Sequence, residues 1–208
     1  MSDYDLIASF YSSLATFVYG PSFYKIQADA ILGSKAKSIL VVGGGDLRFL
    51  ENGAFKAIKI TALDKSKKLS ALASKRISKL RLEVDVILDD FSSFNVNRKF
   101  DLVVFPFFLD QFTLDENMRH ITKASGLLST KGTILIIDFK KPQTTFQKFY
   151  LKLLILGFKL IANLKISTLP TFNFYGFVKQ ERVEVENFWY SISTIVLTPQ
   201  QSEGSELS

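Results

Sequence analysis

The sequence predicts an α/β fold: a seven-stranded, mainly parallel sheet with helices on both faces. Short apolar runs alternate with stretches of helical periodicity, and the run Ser38–Val42 contains no charged residue. Uninterrupted apolar runs are typical of strands buried on both faces, as in parallel sheets. With 208 residues, 47% of them hydrophobic, the chain is long enough to bury such a core. We expect a single domain over residues 1–200 and a disordered tail over 201–208.

The local patterns predict each element in turn. Helices are expected over residues 3–19 and Tyr24–Leu32, forming an N-terminal helical extension, residues 1–35. In the core, residues 36–140, the predicted strands are Ser38–Val42, Ala57–Leu63, Leu82–Leu88, Phe100–Phe105 and Gly132–Phe139, and the predicted helices are Lys65–Leu80 and Leu114–Leu128. Residues 141–200 are expected to form an apolar helix, 146–165, and an antiparallel hairpin of strands, Arg182–Tyr190 and Ser191–Leu197.

Composition excludes several kinds of chemistry. The chain has no cysteine, which excludes disulfides, thiolate metal sites and cysteine nucleophiles. A single histidine, His120, argues against histidine metal sites and Ser-His-Asp triads, so no metal is expected. The opening residues lack a positively charged leader, and we expect a cytoplasmic protein. Lysines interrupt the helix over 146–165, which is therefore interpreted as a buried helix, a lid or a peripheral membrane contact rather than a membrane span.

The formal charge of +6 is interpreted as a solvated basic surface. The helix Lys65–Leu80 has one apolar face, and its other face is expected to carry Lys65, Lys67, Lys68, Lys75, Arg76 and Lys79. No basic strip interleaved with aromatic residues is present, so binding of nucleic acid is not expected. Substitution of Lys75 and Arg76 should therefore leave an activity on small molecules unchanged.

Glycines and acids lie where three of the predicted strands end. The first strand is followed by three glycines, Gly43–Gly45, and then Asp46; the second ends at Asp64; the third ends at Asp89 and Asp90. Ligands of open α/β sheets bind at these carboxyl ends. Glycines let a ligand approach the backbone, and an acid at the end of the second strand suits a ribose diol. Each feature alone also has a structural interpretation: the glycines as an ordinary turn, and Asp64 as the N-cap of the helix that follows it.

The segments SILVVGGGDLRFL, ITALDKSKKL, ILDDFSSF, FDLVVFPFFLDQF and LLSTKGTILIIDF together resemble class I S-adenosylmethionine-dependent methyltransferases. The resemblance covers residues 38–139, about half of the chain. The opening YDLIASFYSSLATFVYG is similar to that of the ubiquinone/menaquinone-biosynthesis-like (type 11/25) branch. The resemblance implies a Rossmann-like fold, S-adenosylmethionine as cofactor and a small-molecule methyl acceptor.

The resemblance also implies roles for individual residues. Gly43 and Gly45 would line the methionine part of the cofactor, Asp64 would hold the ribose hydroxyls, and Asp90, beside Phe91, would accept a hydrogen bond from the adenine amine. Phe105–Phe108 would form the wall between cofactor and acceptor. The full set predicted to bind the cofactor is Gly43, Gly44, Gly45, Asp46, Asp64, Lys65, Asp89, Asp90, Phe91 and Phe105.

Two departures from the family pattern support a second hypothesis, a methyltransferase-fold binding or regulatory protein that no longer catalyses. Val41 stands where the family usually has an acid, for which Asp46 is a candidate substitute, and Leu47 replaces the third glycine and is expected to narrow the cofactor pocket. A third hypothesis is a nicotinamide-dependent dehydrogenase, although Arg48 interrupts its G-x-G-x-x-G spacing.

Methyl transfer requires mainly positioning, and an acceptor of high pKa also requires a base. The candidates are Asp110, after the fourth strand, Tyr11 in the N-terminal helix, and His120. Each candidate also has a structural interpretation: Asp110 as a capping or solvated loop carboxylate, Tyr11 as a core tyrosine, and His120 as a surface or boundary histidine. The acceptor is expected to be apolar, aromatic or lipid-like, in a pocket near Phe105, Phe107, Phe108 and Phe112 that is closed by Phe172, Phe174, Tyr175 and Phe177. The sequence does not indicate an oligomeric state.

Overall fold

A computed structural model of the chain describes residues 22–140, 142, 144–149, 152, 174–186 and 191–200. The predicted helix over 3–19, which includes Tyr11, lies outside these residues, as do the tail and most of the predicted helix over 146–165. The described helices are α1 (Ser22–Gly33), α2 (Lys67–Leu80) and α3 (Leu114–Gly126). The described strands are β1 (Ser38–Val42), β2 (Lys59–Asp64), β3 (Val84–Leu88), β4 (Phe100–Pro106), β5 (Leu128–Phe139), β6 (Phe177–Glu186) and β7 (Ser191–Pro199).

The described strands form one sheet in the order β3-β2-β1-β4-β5-β7-β6. The strands from β1 to β5 pair in parallel, whereas β7 pairs antiparallel with both β5 and β6. The sheet is therefore mainly parallel, as the sequence predicts. The chain moves from β1 outward to β2 and later returns to the other side of β1 with β4. This reversal places a switch point between β1 and β4, where ligands of such sheets bind.

Two apolar clusters cover the two faces of the sheet. On one face, α1 and α2 pack against β1 and β2 through residues that include Ala28, Ile39 and Ala73. On the other face, α3 packs through Ile121 and Ala124 against the alternate residues of the same strands. Four consecutive residues of β1, from Ile39 to Val42, are completely buried, as expected for a central parallel strand. The prediction of helices on both faces is confirmed.

The strand boundaries differ from prediction where the hydrophobic pattern is weak. Strand β6 begins at Phe177, whereas the sequence pattern predicts a start at Arg182. The pattern misses the first residues of this strand because residues 178–183 lie at the edge of the sheet, are exposed and include polar side chains. Strand β5 begins at Leu128 instead of Gly132: its first residues are polar, and its register with β4 shifts between Phe100 and Leu102. Edge strands and irregular ladders lack the alternation on which sequence interpretation depends.

The start of α3 is fixed by a reciprocal cap. The backbone N–H of Glu116 donates to the Thr113 hydroxyl (3.4 Å), and the backbone N–H of Thr113 donates to the Glu116 carboxylate (2.8 Å). We predict that Thr113→Ala lowers the free energy of unfolding by about 1 kcal/mol, the usual cost of losing such a cap. Urea denaturation measures it.

The matched control is Thr122→Ala, an exposed position within the same helix. It should not destabilise the protein, because alanine favours a helix interior more than threonine does. Equal losses in the two variants would contradict the assigned role of the cap.

Candidate functional site

A cleft of about 620 Å³, a volume that includes open solvent, lies at the carboxyl ends of β1 to β4. It is the place that the strand order marks as the switch point. The structure brings seven of the predicted cofactor residues to the lining of this cleft: Gly43, Gly45, Asp64, Lys65, Asp89, Asp90 and Phe91. The opposite wall consists of residues at and after the end of β4, including Pro106, Phe107 and Phe108.

The glycine turn after β1 requires glycine at two positions. Gly43 and Gly45 have φ values of +70° and +58°, a region that glycine adopts without steric cost. A Cβ atom on Gly43 would lie 2.4 Å from Cδ2 of Phe108. The phenyl ring thus rests directly on the glycine, and no larger residue fits there without displacing it.

The Asp64 carboxylate is fixed between two backbone amides. The N–H of Gly45 donates to Oδ2 (2.9 Å), and the N–H of Ser66 donates to Oδ1 (2.8 Å). A carboxylate has lone pairs for about four hydrogen bonds, so it can accept from several donors at once. Asp64 therefore presents an oriented acceptor to the cleft while holding the glycine turn against the end of β2.

Asp89 and Asp90 shape the turn after β3. Asp90 accepts hydrogen bonds from the backbone N–H (2.8 Å) and hydroxyl (2.7 Å) of Ser92. Burial opposes ionisation of Asp90, but these hydrogen bonds, together with the positive charge of Lys65, outweigh it and lower the pKa of the carboxyl group. Asp90 is thus an ionised acceptor at the side of the cleft, where a ligand's N–H donors can reach it.

An aromatic cluster backs the cleft. The ring of His120 lies 4.7 Å from that of Phe112, 5.5 Å from Phe108 and 5.6 Å from Phe91, measured between centroids. His120 is only 8% exposed, so its interpretation as a surface or boundary residue was wrong. Burial lowers its pKa and favours the neutral imidazole. Ring packing therefore holds His120 at the back of the cleft.

Three other predicted cofactor residues lie behind the cleft lining, so their predicted direct roles find no support in the geometry. Phe105 is completely buried and supports Phe91 and Phe108 from behind. A Cβ on Gly44 would meet Cδ2 of Leu47 at 2.7 Å, which shows that Gly44 faces the core. The third residue, Asp46, forms an ion pair with Arg76 of α2.

Leu47 does not narrow the cleft, contrary to expectation. Its side chain is completely buried in the apolar cluster that also contains Val41. To reach that position Leu47 adopts φ = +53°, a conformation that is strained for leucine. The burial of its side chain offsets this strain, so Leu47 anchors the glycine turn in the apolar core.

Asp46 forms a buried ion pair with Arg76 of α2. The Arg76 guanidinium lies 3.1 Å from the Asp46 carboxylate and 2.7 Å from that of Glu51, and it also donates to the Asp46 carbonyl. The side chains of Arg76 and Asp46 are only 14% and 6% exposed. The expectation that Arg76 lies on the solvated basic face of α2 was therefore wrong: Arg76 holds the residue next to Gly45.

The aromatic residues before β6 lie far from the cleft. Phe177 pairs with Pro199 at the edge of the sheet where the parallel strands begin, opposite the cleft. Phe174 is buried in the cluster that contains Phe100, at the start of β4, and Tyr175 is 82% exposed. The prediction that these residues close the acceptor pocket was wrong. Strand β6 begins at Phe177, earlier than predicted, and this places the residues around its start at the end of the sheet opposite the cleft. Phe172 lies outside the described residues.

Two buried carboxyl groups lie near the aromatic side of the cleft. Asp110, in the 3-10 turn Leu109–Gln111, has a buried carboxyl group whose pKa burial raises to about 7. Its interpretation as a solvated carboxylate was wrong. The sequence interpretation missed Asp138, which is buried near the end of β5. An acid that follows four apolar residues within a central strand, as in TILIID, is a signal that could have indicated it.

Within the described ranges, no group of three or more histidine and acidic side chains is placed to hold a metal ion. Nor does any helix in that part of the chain have the length and apolarity needed to cross a membrane.

The Arg76 ion pair generates a prediction about stability. Arg76→Met leaves the buried Asp46 without its cation, and we predict a loss of about 3 kcal/mol in the free energy of unfolding. The control is Lys75→Met, the adjacent exposed position, which should change stability by less than about 0.5 kcal/mol. Urea denaturation at pH 7 separates the two. A small effect at Arg76 would mean that Asp46 is accessible to water or to another cation.

The comparisons with known proteins agree with the architecture. No known family matches the chain, and no curated protein is similar to it in sequence. Among solved structures it is similar to the magnesium protoporphyrin IX methyltransferase of Synechocystis PCC 6803 with bound SAH, with 14% identity, a TM-score of 0.65, and coverage of 93% of this chain and 96% of that one.

Two further similar structures are methyltransferases with different substrates in their names. The plantazolicin methyltransferase BpumL, solved with a desmethylPZN analogue and SAH, has 14% identity and a TM-score of 0.60, with 91% and 90% coverage. An rRNA methylase from Streptococcus thermophilus has 15% identity and a TM-score of 0.54, with 84% and 95% coverage. At these identities the likeness establishes the fold, and the chain has the α/β fold of these methyltransferases.

Proposed function

We propose that this protein is an S-adenosylmethionine-dependent methyltransferase that acts on a small apolar or aromatic molecule. The observation that carries the proposal is the arrangement around Asp64: its carboxylate, at the end of β2, is held by the N–H of Gly45 within one cleft. A glycine turn and an acid in this relation suit the ribose of a nucleoside cofactor. The methyltransferase fold supports this choice over a dehydrogenase.

The residues of the cleft fit the nucleoside half of the cofactor. The Asp64 carboxylate, which two backbone amides orient at the lining of the cleft, would accept hydrogen bonds from the ribose hydroxyls, and the ionised Asp90 would accept from the adenine amine. Leu69 and Phe91 add apolar surface to the lining for the adenine ring. For the methionine half, Val41 is buried in the core and supplies no carboxylate, so the backbone of the glycine turn would provide the contacts there.

When bound, the cofactor supplies an electrophilic methyl group on a sulfonium. The contribution of this chain is positioning and exclusion of water. Pro106, Phe107, Phe108 and Phe112 form the apolar side of the cleft, and rings packed as closely as Phe108 and Phe112 (4.9 Å) hold one another in place. An acceptor seated against these rings would be apolar over most of its surface.

We also propose that the protein belongs to the ubiquinone/menaquinone-biosynthesis-like branch. In this proposal, the N-terminal helices cover the active site. Both rest on residues 3–19, which lie outside the described part of the chain. The same applies to the peripheral membrane contact proposed for residues 146–165, of which only 146–149 and 152 are described.

Calorimetric titration with S-adenosylmethionine and S-adenosylhomocysteine tests the proposal. We expect micromolar binding of both to the wild-type protein. Asp64→Ala should weaken it by about 10- to 100-fold, because hydrogen bonds to a charged group contribute about 1.5–3 kcal/mol. Circular dichroism should show that the variant is folded.

The matched control is Asp85→Ala on β3, whose carboxylate is 67% exposed and pairs with Arg98 away from the cleft. Its affinity should equal that of the wild type. Failure of the wild type to bind either compound would overturn the proposed function, and NAD would then be titrated. Unchanged affinity in Asp64→Ala would overturn the assigned role of that residue.

A further inference from the structure

Buried polar side chains gather at the carboxyl end of β5, behind the acceptor side of the cleft. Asp138 lies opposite Ser193 in the β5–β7 ladder, and Ser191 lies two residues away along β7. Gln147 donates to the Ser191 hydroxyl (3.4 Å). Each of these four residues is at most 7% exposed. We call this group the β5 polar cluster.

Asp138 has an unsatisfied oxygen within this cluster. Its Oδ1 accepts from the backbone N–H of Phe139 (2.7 Å), whereas Oδ2 is buried without a hydrogen-bond donor. No ion pair of Asp138 is found among the described residues, and Lys140, two positions away, contacts Glu181 instead (4.0 Å). A buried carboxylate oxygen without a donor is costly unless a proton or a ligand satisfies it.

Asp110 approaches the β5 polar cluster from the turn after β4. The N–H of Phe107 donates to the carbonyl of Ile137, which brings this turn to the end of β5. Burial raises the pKa of Asp138 well above its usual value, and the negative charge of Asp110 raises it further. Two carboxyl groups this close cannot both ionise without a compensating cation.

The turn that carries Asp110 also borders the cleft. The next residues, Gln111 and Phe112, line it, and a hydrogen bond from the Gln111 side chain stabilises the Asp110 carboxylate. Asn117 of α3 holds the turn by donating to the carbonyls of Leu109 (2.9 Å) and Phe112 (3.4 Å). The Asn117 amide oxygen is itself buried without a hydrogen-bond donor.

We propose that Asp138, with Asp110, binds the protonated amine of an otherwise apolar methyl acceptor. This inference rests on the proposed function and names its substrate class. An ammonium group brings N–H donors for the unsatisfied Oδ2 of Asp138 and a positive charge that offsets the negative charge of Asp110 and Asp138. To become a nucleophile the amine must lose one proton: the N–H bond breaks, its electron pair stays on nitrogen, and the proton passes to Oδ2 of Asp138.

The pH dependence of stability tests the state of the carboxyl pair without a substrate. Asp110 is the charged group that acts on Asp138, and Lys140, two residues along β5 and past its end, lies 4.0 Å from Glu181. Because the folded pKa values of Asp110 and Asp138 are raised, the unfolded chain releases these protons first as the pH rises above about 4, and stability falls toward pH 8. Asp138→Asn removes this loss and lets an amide donate to Asp110.

We therefore expect Asp138→Asn to raise the urea midpoint at pH 8 by about 0.5 M and to change it little at pH 4.5. The control, Asp85→Asn, should show no such dependence on pH. A purely structural carboxylate would give the opposite result, a lower midpoint for Asp138→Asn at both pH values, and that result would overturn the proposal.

Binding of model compounds tests the substrate class. Calorimetry at pH 8 compares 4-phenylbutylamine with 4-phenylbutan-1-ol, which has the same apolar body without a charge. The wild type should bind the amine at least ten-fold more tightly, and Asp138→Asn should lose that preference. Equal affinities in the wild type, or a preference retained in the variant, would overturn the inference.

S-adenosylhomocysteine is titrated into the same preparations. Its binding to the wild type and to Asp138→Asn with similar affinity would leave the proposed function intact whatever the result with the amine. Loss of S-adenosylhomocysteine binding in the wild type would instead overturn the proposed function itself, so the two failures are distinguishable.

Discussion

The hydrogen bond from Gly45 to Asp64 is the contact on which the cleft depends. It joins the turn after β1 to the last residue of β2, and the N–H of Gly43 reinforces it by donating to the carbonyl of Leu63 (2.8 Å). Both strands are fixed by the buried faces of the sheet, so the positions of turn and carboxylate follow from the core. Two further contacts hold the glycine turn: Leu47 packs in the apolar core, and Arg76 forms an ion pair with Asp46.

Around this contact the molecule separates two environments. The side of the cleft near β2 and β3 is polar: Asp64 and Asp90 both accept short hydrogen bonds, and those to Asp90 lower the pKa of its carboxyl group. The side near β4 is aromatic, with Phe108 resting on the glycine turn. Behind the aromatic side lie Asp110 and Asp138, whose burial favours their protonated forms. Identical carboxyl groups thus have opposite tendencies because their surroundings differ in hydration and hydrogen bonding.

The sequence predicts the parts of this arrangement that depend on local pattern. The core strands, the glycine turn and the acids at the strand ends follow from apolar runs and from the rule that ligands bind at carboxyl ends. The features that depend on packing between distant segments could not be predicted in this way.

The spacing of Arg76 in the sequence places it on the basic face of α2, but its ion pair with Asp46 buries the side chain. His120 lies on the edge of an amphipathic pattern, and only the rings of Phe91, Phe108 and Phe112 make it a buried residue. The length of β6 was misjudged because an exposed edge strand has no apolar alternation.

A crystal structure of the protein with S-adenosylhomocysteine would show directly whether the cleft holds the cofactor through Asp64. We expect the ribose hydroxyls within about 3 Å of the Asp64 carboxylate, as a hydrogen bond requires, and the adenine ring beside Phe91 with its amine toward Asp90. The Gly45–Asp64 hydrogen bond should persist in that complex. A ligand bound away from Asp64, or a glycine turn that separates from β2 to admit it, would show that this contact does not build the cofactor site.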